Sequence, residues 1–63
     1  MRREKDVTLV YDLLLRLERR VHLDELLAMI RLPRWRILVA LRSRPDLFVE
    51  LAGQSWQASS RNS

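Results

Sequence analysis

The spacing of the apolar side chains changes once along this chain, at Pro45. Before Pro45, apolar residues recur every three or four positions, which is typical of amphipathic helices. After it, the period is two, since Leu47, Val49 and Leu51 alternate with Phe48 and Glu50, and this predicts a strand over 47–51. Ala52-Gly53 offers a turn, because glycine tolerates a positive φ, and a returning strand is predicted over 55–58. The chain is therefore expected to be mainly α-helical and to end in a small β-hairpin.

Two breaks divide the helical part into three helices. The apolar stripe predicts a first helix over 7–19, with Asp6 as its N-cap. A second helix is predicted over 23–31, and Pro33 follows its end, because the residue before a proline avoids the helical region. Proline suits the first turn of a new helix, so a third helix is predicted over 33–44.

The link between the first two helices carries two local signals. The β-branched residue Val21 suits a minimal strand. Glu25 stands three residues after His22, which is the spacing of a capping box, although histidine is an unusual N-cap. Asp24 and Glu25 also lie where negative charge complements the helix dipole. We therefore interpret His22 as a helix-start residue and not as part of a metal site.

Length and composition limit the size and the setting of the protein. The 63 residues make at most one domain, and we expect a flexible N-terminus over 1–5, a domain over 6–58 and a disordered tail over 59–63. Cysteine is absent, which excludes disulfides and cysteine zinc sites and favours an intracellular setting, nuclear or cytoplasmic. No apolar run reaches the ~20 residues of a membrane span, and the charged start does not resemble a signal peptide. No membrane partner is expected.

The order helix, short link, helix, tight turn, helix and hairpin over 6–58 resembles the winged helix-turn-helix superfamily. The stretch 37–51, a leucine-rich helix that runs into Pro-Asp-Leu-Phe, is similar to the helix-to-strand end of LOTUS-type winged helices and related RNA-associated domains. The longer insert that such domains carry before their third helix is missing here. The resemblance implies a three-helix winged helix-turn-helix fold within a larger protein or complex, with the third helix (33–44) and the wing hairpin (46–58) as its binding elements.

Five arginines and no acidic residue fall between Arg31 and Arg44. Arginine forms bidentate contacts with phosphate and with guanine, so this cluster predicts a nucleic-acid interface. Helical spacing turns Arg36 outward, which makes it the first candidate for a base edge. Arg31 and Arg34, near the turn, are candidates for phosphate contacts, and Arg42 and Arg44 flank the far end. The alternative is a solvated basic face that only keeps the domain in solution.

Trp35 and Val39 lie four positions apart and away from the inward stripe of the third helix. If both are exposed, they form an apolar ridge of the kind that marks a protein contact, and Trp35 would also suit stacking on an unpaired base. The alternative is that Trp35 folds over the wing and covers the edge of the core. Trp56, in the returning strand, is expected to pack in the core.

Leucines on the first helix leave a similar choice open. Leu9 and Leu13 widen the apolar stripe, and Leu15 lies off it. These side chains either close the bottom of a small core or form a surface for a partner.

A catalytic constellation is not visible in the sequence. Ser43, Ser55 and His22 fall on different predicted elements, and the single glycine, Gly53, excludes a glycine-rich phosphate loop. A chain of this length also has little room for a pocket that buries a substrate. We expect a binding module and not an enzyme, with no cofactor, no metal and no small-molecule substrate.

Three hypotheses about the partner follow. The leading one is a nucleic-acid-binding module, for DNA or RNA, that uses the third helix and the wing. The alternative is a protein-interaction or homodimerisation module that acts through Trp35, Val39 and the hairpin. A third, weaker hypothesis has a wing strand pair with the edge of another chain.

Overall fold

The computed structural model describes the backbone of residues 2–59 and the side chains of residues 5–59. Within that part, three helices and a small three-stranded antiparallel sheet form a mainly helical, compact fold, as the apolar spacing predicts. The elements in chain order are α1 (Arg2–Leu17), β1 (Val21–His22), α2 (Leu23–Met29), α3 (Arg34–Ser43), β2 (Phe48–Leu51) and β3 (Ser55–Ala58). No helix among them is long and apolar enough to cross a membrane. Of the predicted tail, residues 60–63 lie outside the described residues.

The first helix begins earlier than expected. It starts at Arg2 and not at residue 7, so residues 2–5, expected to precede the domain, belong to the helix. The predicted N-cap, Asp6, therefore lies in the helix interior, and that prediction is wrong. Arginine, glutamate and lysine are good helix formers, and neither proline nor glycine interrupts them. Extending a helix across such residues is easier than nucleating one after them.

The end of α1 leads directly into the sheet. The helix stops at Leu17, two residues before the predicted end, and Glu18 takes a left-handed φ of 53°. The Glu18 N–H donates to the Leu14 carbonyl at 3.1 Å, which closes the last turn. Val21 then forms the minimal strand that its β-branched side chain predicts and pairs with Trp56.

A capping box at His22 begins α2, as the spacing to Glu25 predicts. The Asp24 N–H donates to His22 Nδ1 at 3.0 Å, and the His22 N–H donates to Glu25 Oε1 at 3.2 Å. The guanidinium of Arg19 donates two further bonds to the Glu25 carboxylate, at 3.2 and 3.1 Å. These hydrogen bonds, first from Arg19 and then from His22, hold the pKa of the Glu25 carboxyl below its ordinary value.

The second break falls where Pro33 predicts it, with shorter helices on both sides. α2 ends at Met29 and not at residue 31, because the backbone is already extended at the next residue. Pro33 is the N-cap of α3 and not its first residue, and it has no side-chain cap. α3 ends at Ser43, one residue before the predicted end. The α2–α3 connection is therefore residues 30–33.

The sheet has the order β1-β3-β2, and both pairings are antiparallel. Trp56 on the central strand faces Val21 on one side and Glu50 on the other. β3 occupies the predicted range 55–58, whereas β2 begins one residue later than predicted. The connecting turn uses a positive φ at Gly53 (78°), as expected, and also at Gln54 (60°).

One hydrophobic core lies between the three helices and the sheet. Trp56 is only 3% exposed, so its predicted packing role is confirmed. Tyr11 and Phe48 meet edge to face, with ring centroids 5.8 Å apart. Every helix and strand contributes to the buried apolar set: Val7, Val10, Leu14, Val21, Leu23, Leu26, Ile30, Ile37, Ala40, Leu41, Phe48 and Trp56.

The leucines of α1 divide between core and surface. Leu13 is partly buried and packs against the core. Leu9 and Leu15 are 49% and 44% exposed, so they do not close it. Part of the apolar surface of α1 is thus left uncovered by the residues that the structure describes.

Candidate functional site

α3 separates a buried side from an exposed side. Ile37 and Leu41 are buried in the core. With 3.6 residues per turn, the opposite side of the helix presents Trp35, Val39 and Arg42, spaced i, i+4 and i+7. All three are exposed. The part of the chain richest in arginine thus has a helix face directed to solvent.

Trp35 is the most exposed large apolar side chain among the described residues, at 64%. The alternative in which it folds over the hairpin and covers the core is therefore wrong. Val39, one turn further, is 37% exposed. We refer to the side chains of Trp35, Val39 and Arg42 as the outer face of α3. Arg34, the first residue of the helix, is also exposed, but it projects about 100° away from Trp35, above the buried Leu41.

Arg36 does not face outward, which corrects the first candidate for a base edge. Its Nε donates to Asp6 Oδ2 at 3.0 Å, and its Nη2 donates to Asp6 Oδ1 at 2.9 Å. Asp6 is only 8% exposed, and the pair joins α1 to α3. Arginine at this position compensates a buried carboxylate, so a nucleic acid would have to compete with Asp6 for it.

Sequence reasoning missed this pair because Asp6 also satisfies the local rule for an N-cap. A signal was nevertheless present. Asp6 stands four and eight residues before Val10 and Leu14, both of which point inward. If the helix continues through Asp6, the carboxylate must face the core side and needs a cationic partner.

Arg44 is also engaged by a carboxylate. Its Nε and Nη2 donate to the two oxygens of Asp46 at 3.1 and 3.0 Å, and both side chains are largely exposed. Of the five candidate arginines, the structure thus pairs two with acids of the same chain. Since the second pair is on the surface, it contributes little to stability.

The other three candidates, Arg31, Arg34 and Arg42, are exposed and form no hydrogen bond or ion pair with any residue that the structure describes. We refer to these three as the unpaired arginines. Arg31 lies in the α2–α3 connection, Arg34 is the first residue of α3, and Arg42 lies on the outer face of α3. No acidic residue occurs between Leu26 and Pro45, so the potential around this face is positive.

Depressions elsewhere on the surface are open. A shallow one of about 520 Å³ runs along α1 and is lined by Lys5, Asp6, Thr8, Leu9 and Asp12. Across residues 5–59, no group of three His, Cys, Asp or Glu side chains is arranged to hold a metal ion.

No protein-family model matches the chain, and no curated protein or solved structure is significantly similar to it.

Proposed function

We propose that this chain is a winged helix-turn-helix module that binds nucleic acid through the outer face of α3, and that it is a binding module and not an enzyme. The order of elements supports the fold assignment, because two helices joined by residues 30–33 are followed by the β2–β3 hairpin. The minimal strand β1 adds a third strand to that hairpin. In helix-turn-helix proteins the second helix of the motif contacts the nucleic acid, and here that helix is α3.

The observation that carries the proposal is the set of unpaired arginines. Three exposed guanidinium groups lie on or beside one helix face, without an acid near them in the sequence. A polyanion would supply the missing partners and would release counterions on binding. Arginine also matches the oxygen geometry of phosphate better than lysine does.

The wing contributes less electrostatically than the resemblance implies. The hairpin region 46–58 contains Asp46 and Glu50 but no lysine or arginine. Phosphate contacts are therefore assigned to α3 and to the turn before it, and the wing is left with neutral contacts such as those of Gln54 and Gln57.

The test is fluorescence anisotropy of labelled double-stranded DNA and single-stranded RNA, titrated with the protein at 50 and 200 mM salt. Three phosphate contacts predict that affinity falls by about 20- to 40-fold between these concentrations. Arg34→Ala and Arg42→Ala should each weaken binding and lower the salt slope by about one contact. Arg36→Ala is a poor probe of binding, because it also removes the ion pair with Asp6.

The matched control is Arg16→Ala. Arg16 is exposed on α1, away from α3, and its removal changes the net charge by the same amount. If the Arg16 variant weakens binding as much as the α3 variants do, only the overall charge matters and the proposed site is wrong. If the unaltered protein binds neither probe at 50 mM salt, nucleic-acid binding itself is refuted.

A second candidate function is favoured by the exposure of Trp35 and Val39. An aromatic side chain beside arginines is also typical of protein interfaces, so the same face would suit a protein partner or a second copy of the chain. Sedimentation analysis separates this candidate from the first. Self-association that is lost in Trp35→Ala supports it, and a monomer at all concentrations removes the second copy as the partner.

A further inference from the structure

We infer that the nucleic acid on the outer face of α3 is single-stranded and that one unpaired base stacks on the indole of Trp35. This inference rests on the proposed function and specifies its ligand. It starts from the contrast between Trp35, 64% exposed, and the other tryptophan, Trp56, 3% exposed. No ring contact or hydrogen bond links Trp35 to any side chain of residues 5–59, and most of its surface is open to solvent.

The composition of the outer face favours an unpaired base over a duplex. In a duplex the faces of the bases are hidden in the stack, and a protein reads the hydrogen-bonding groups at their edges. Val39 has no such group, and the Trp35 indole has a single N–H donor. Arg36, which would suit a guanine edge, is bound to Asp6. An exposed indole instead matches the face of an unpaired base, whatever its identity.

The charges around Trp35 favour nucleic acid over an apolar protein partner. Arg34 adjoins Trp35 in the sequence, and Arg42 lies about 10 Å further along the helix axis, at 1.5 Å per residue. Arg42 projects from the same side of the helix as Trp35, whereas Arg34 projects about 100° away from it. Single-strand-binding proteins combine positive charge of this kind, which holds the backbone, with an aromatic ring on which a base stacks. The apolar part consists of only two side chains, which is small for a protein interface.

The two tryptophans allow a direct test. Because Trp56 is buried, quenching of tryptophan emission by a bound base is expected to come from Trp35 alone. We expect a short single-stranded oligothymidylate to quench the emission of the protein, and a duplex of the same length to do so much less. In Trp35→Phe, the quenching should disappear while anisotropy still reports binding, since phenylalanine also stacks.

Affinity variants complete the test. Trp35→Ala should weaken binding of the single strand by about 5- to 150-fold, the range for loss of one stacked base. The matched control is Leu15→Ala, which removes another exposed apolar side chain (44%), on α1 and outside both α3 and the wing, and should leave binding unchanged. Circular dichroism of each variant checks that the helices are retained.

The outcomes separate this inference from the proposed function. Preference for the duplex, or full affinity of Trp35→Ala for the single strand, would overturn the stacked base and leave α3 as a nucleic-acid-binding face. Absence of binding to both probes would overturn both proposals and direct attention to a protein partner. A single-strand preference that depends on Trp35 and not on Leu15 supports the inference.

Discussion

The two sides of α3 use the same kinds of residue for different purposes. On the inner side, Arg36 is fixed by a bidentate bond to the buried Asp6. By contrast, Arg42 on the outer face and Arg34 in the first turn are exposed and have no partner among the described residues. The number of arginines along a helix therefore does not show how many of them are available to a binding partner. Substitutions on the inner side should lower stability, and those on the outer face should affect binding alone.

The largest effect is expected at the buried tryptophan. Trp56→Ala removes a core side chain from the central strand and should lower the free energy of unfolding by about 3–5 kcal/mol, measured by urea denaturation. In a domain this small, such a loss approaches the whole stability. Trp56→Phe is the milder control, since Trp56 Nε1 is buried without a hydrogen-bond partner in the described structure and its loss costs little. An equal loss in Trp35→Ala would erase the contrast between the two tryptophans.

The next effect is expected at the α1–α3 ion pair. Arg36→Ala leaves the Asp6 carboxylate buried without its cation. Breaking a fully buried pair costs about 3–5 kcal/mol, but the Arg36 side chain is 36% exposed, and solvent screening reduces the expected loss to about 1–3 kcal/mol.

A double-mutant cycle isolates that interaction. Asp6→Ala combined with Arg36→Ala should cost less than the sum of the two single changes, because the double variant leaves no buried charge unpaired. Additive losses in urea denaturation would mean that the two side chains contribute independently and that the Asp6–Arg36 ion pair does not stabilise the packing of α1 against α3.

Local rules predicted much of this fold. The change of apolar spacing at Pro45 placed the helices before the hairpin, and the β3 range was correct because alternation and the glycine turn agree there. The capping box at His22 followed from a spacing of three residues. Each of these signals lies within a few residues of the structure that it specifies.

Long-range contacts explain what the sequence did not reveal. Asp6 fits an N-cap by its neighbours, and its role depends on Arg36, which is thirty positions away. The spacing placed Trp35 off the inward stripe, but only the packed structure decides whether so long a side chain folds back over the core. Residues whose roles depend on such contacts are thus the ones that local patterns describe least well.

The outer face should be nearly neutral for stability. Trp35→Ala and Val39→Ala remove exposed side chains, so each should change the free energy of unfolding by no more than about 0.5 kcal/mol. Thermal unfolding of both variants beside the unaltered protein measures this. A loss above about 1 kcal/mol would indicate that Trp35 packs on the domain in solution, and the stacking surface would then be absent.

The smallest effect is expected at the ion pair between Arg19 and Glu25, which lies on the surface. Both side chains are about half exposed, unlike Asp6. The folded-state pKa of Glu25 is lowered, so its contribution to stability is present above the ordinary value of 4.5 and is lost as the pH falls through the lower, folded value. Glu25→Gln keeps an oxygen acceptor for the His22 N–H but removes the charge.

Unfolding temperatures of Glu25→Gln and the unaltered protein should therefore differ slightly at neutral pH and converge in acid. Glu50→Gln, which removes an exposed carboxylate on β2, is the control that should show no such convergence. A difference that stays constant with pH would show that the charge of Glu25 is not its cause, and no difference at any pH would assign the stabilisation to the capping geometry, which an amide retains. Because solvent screens this pair while burial protects the one at Asp6, the two ion pairs should differ in magnitude although both are bidentate.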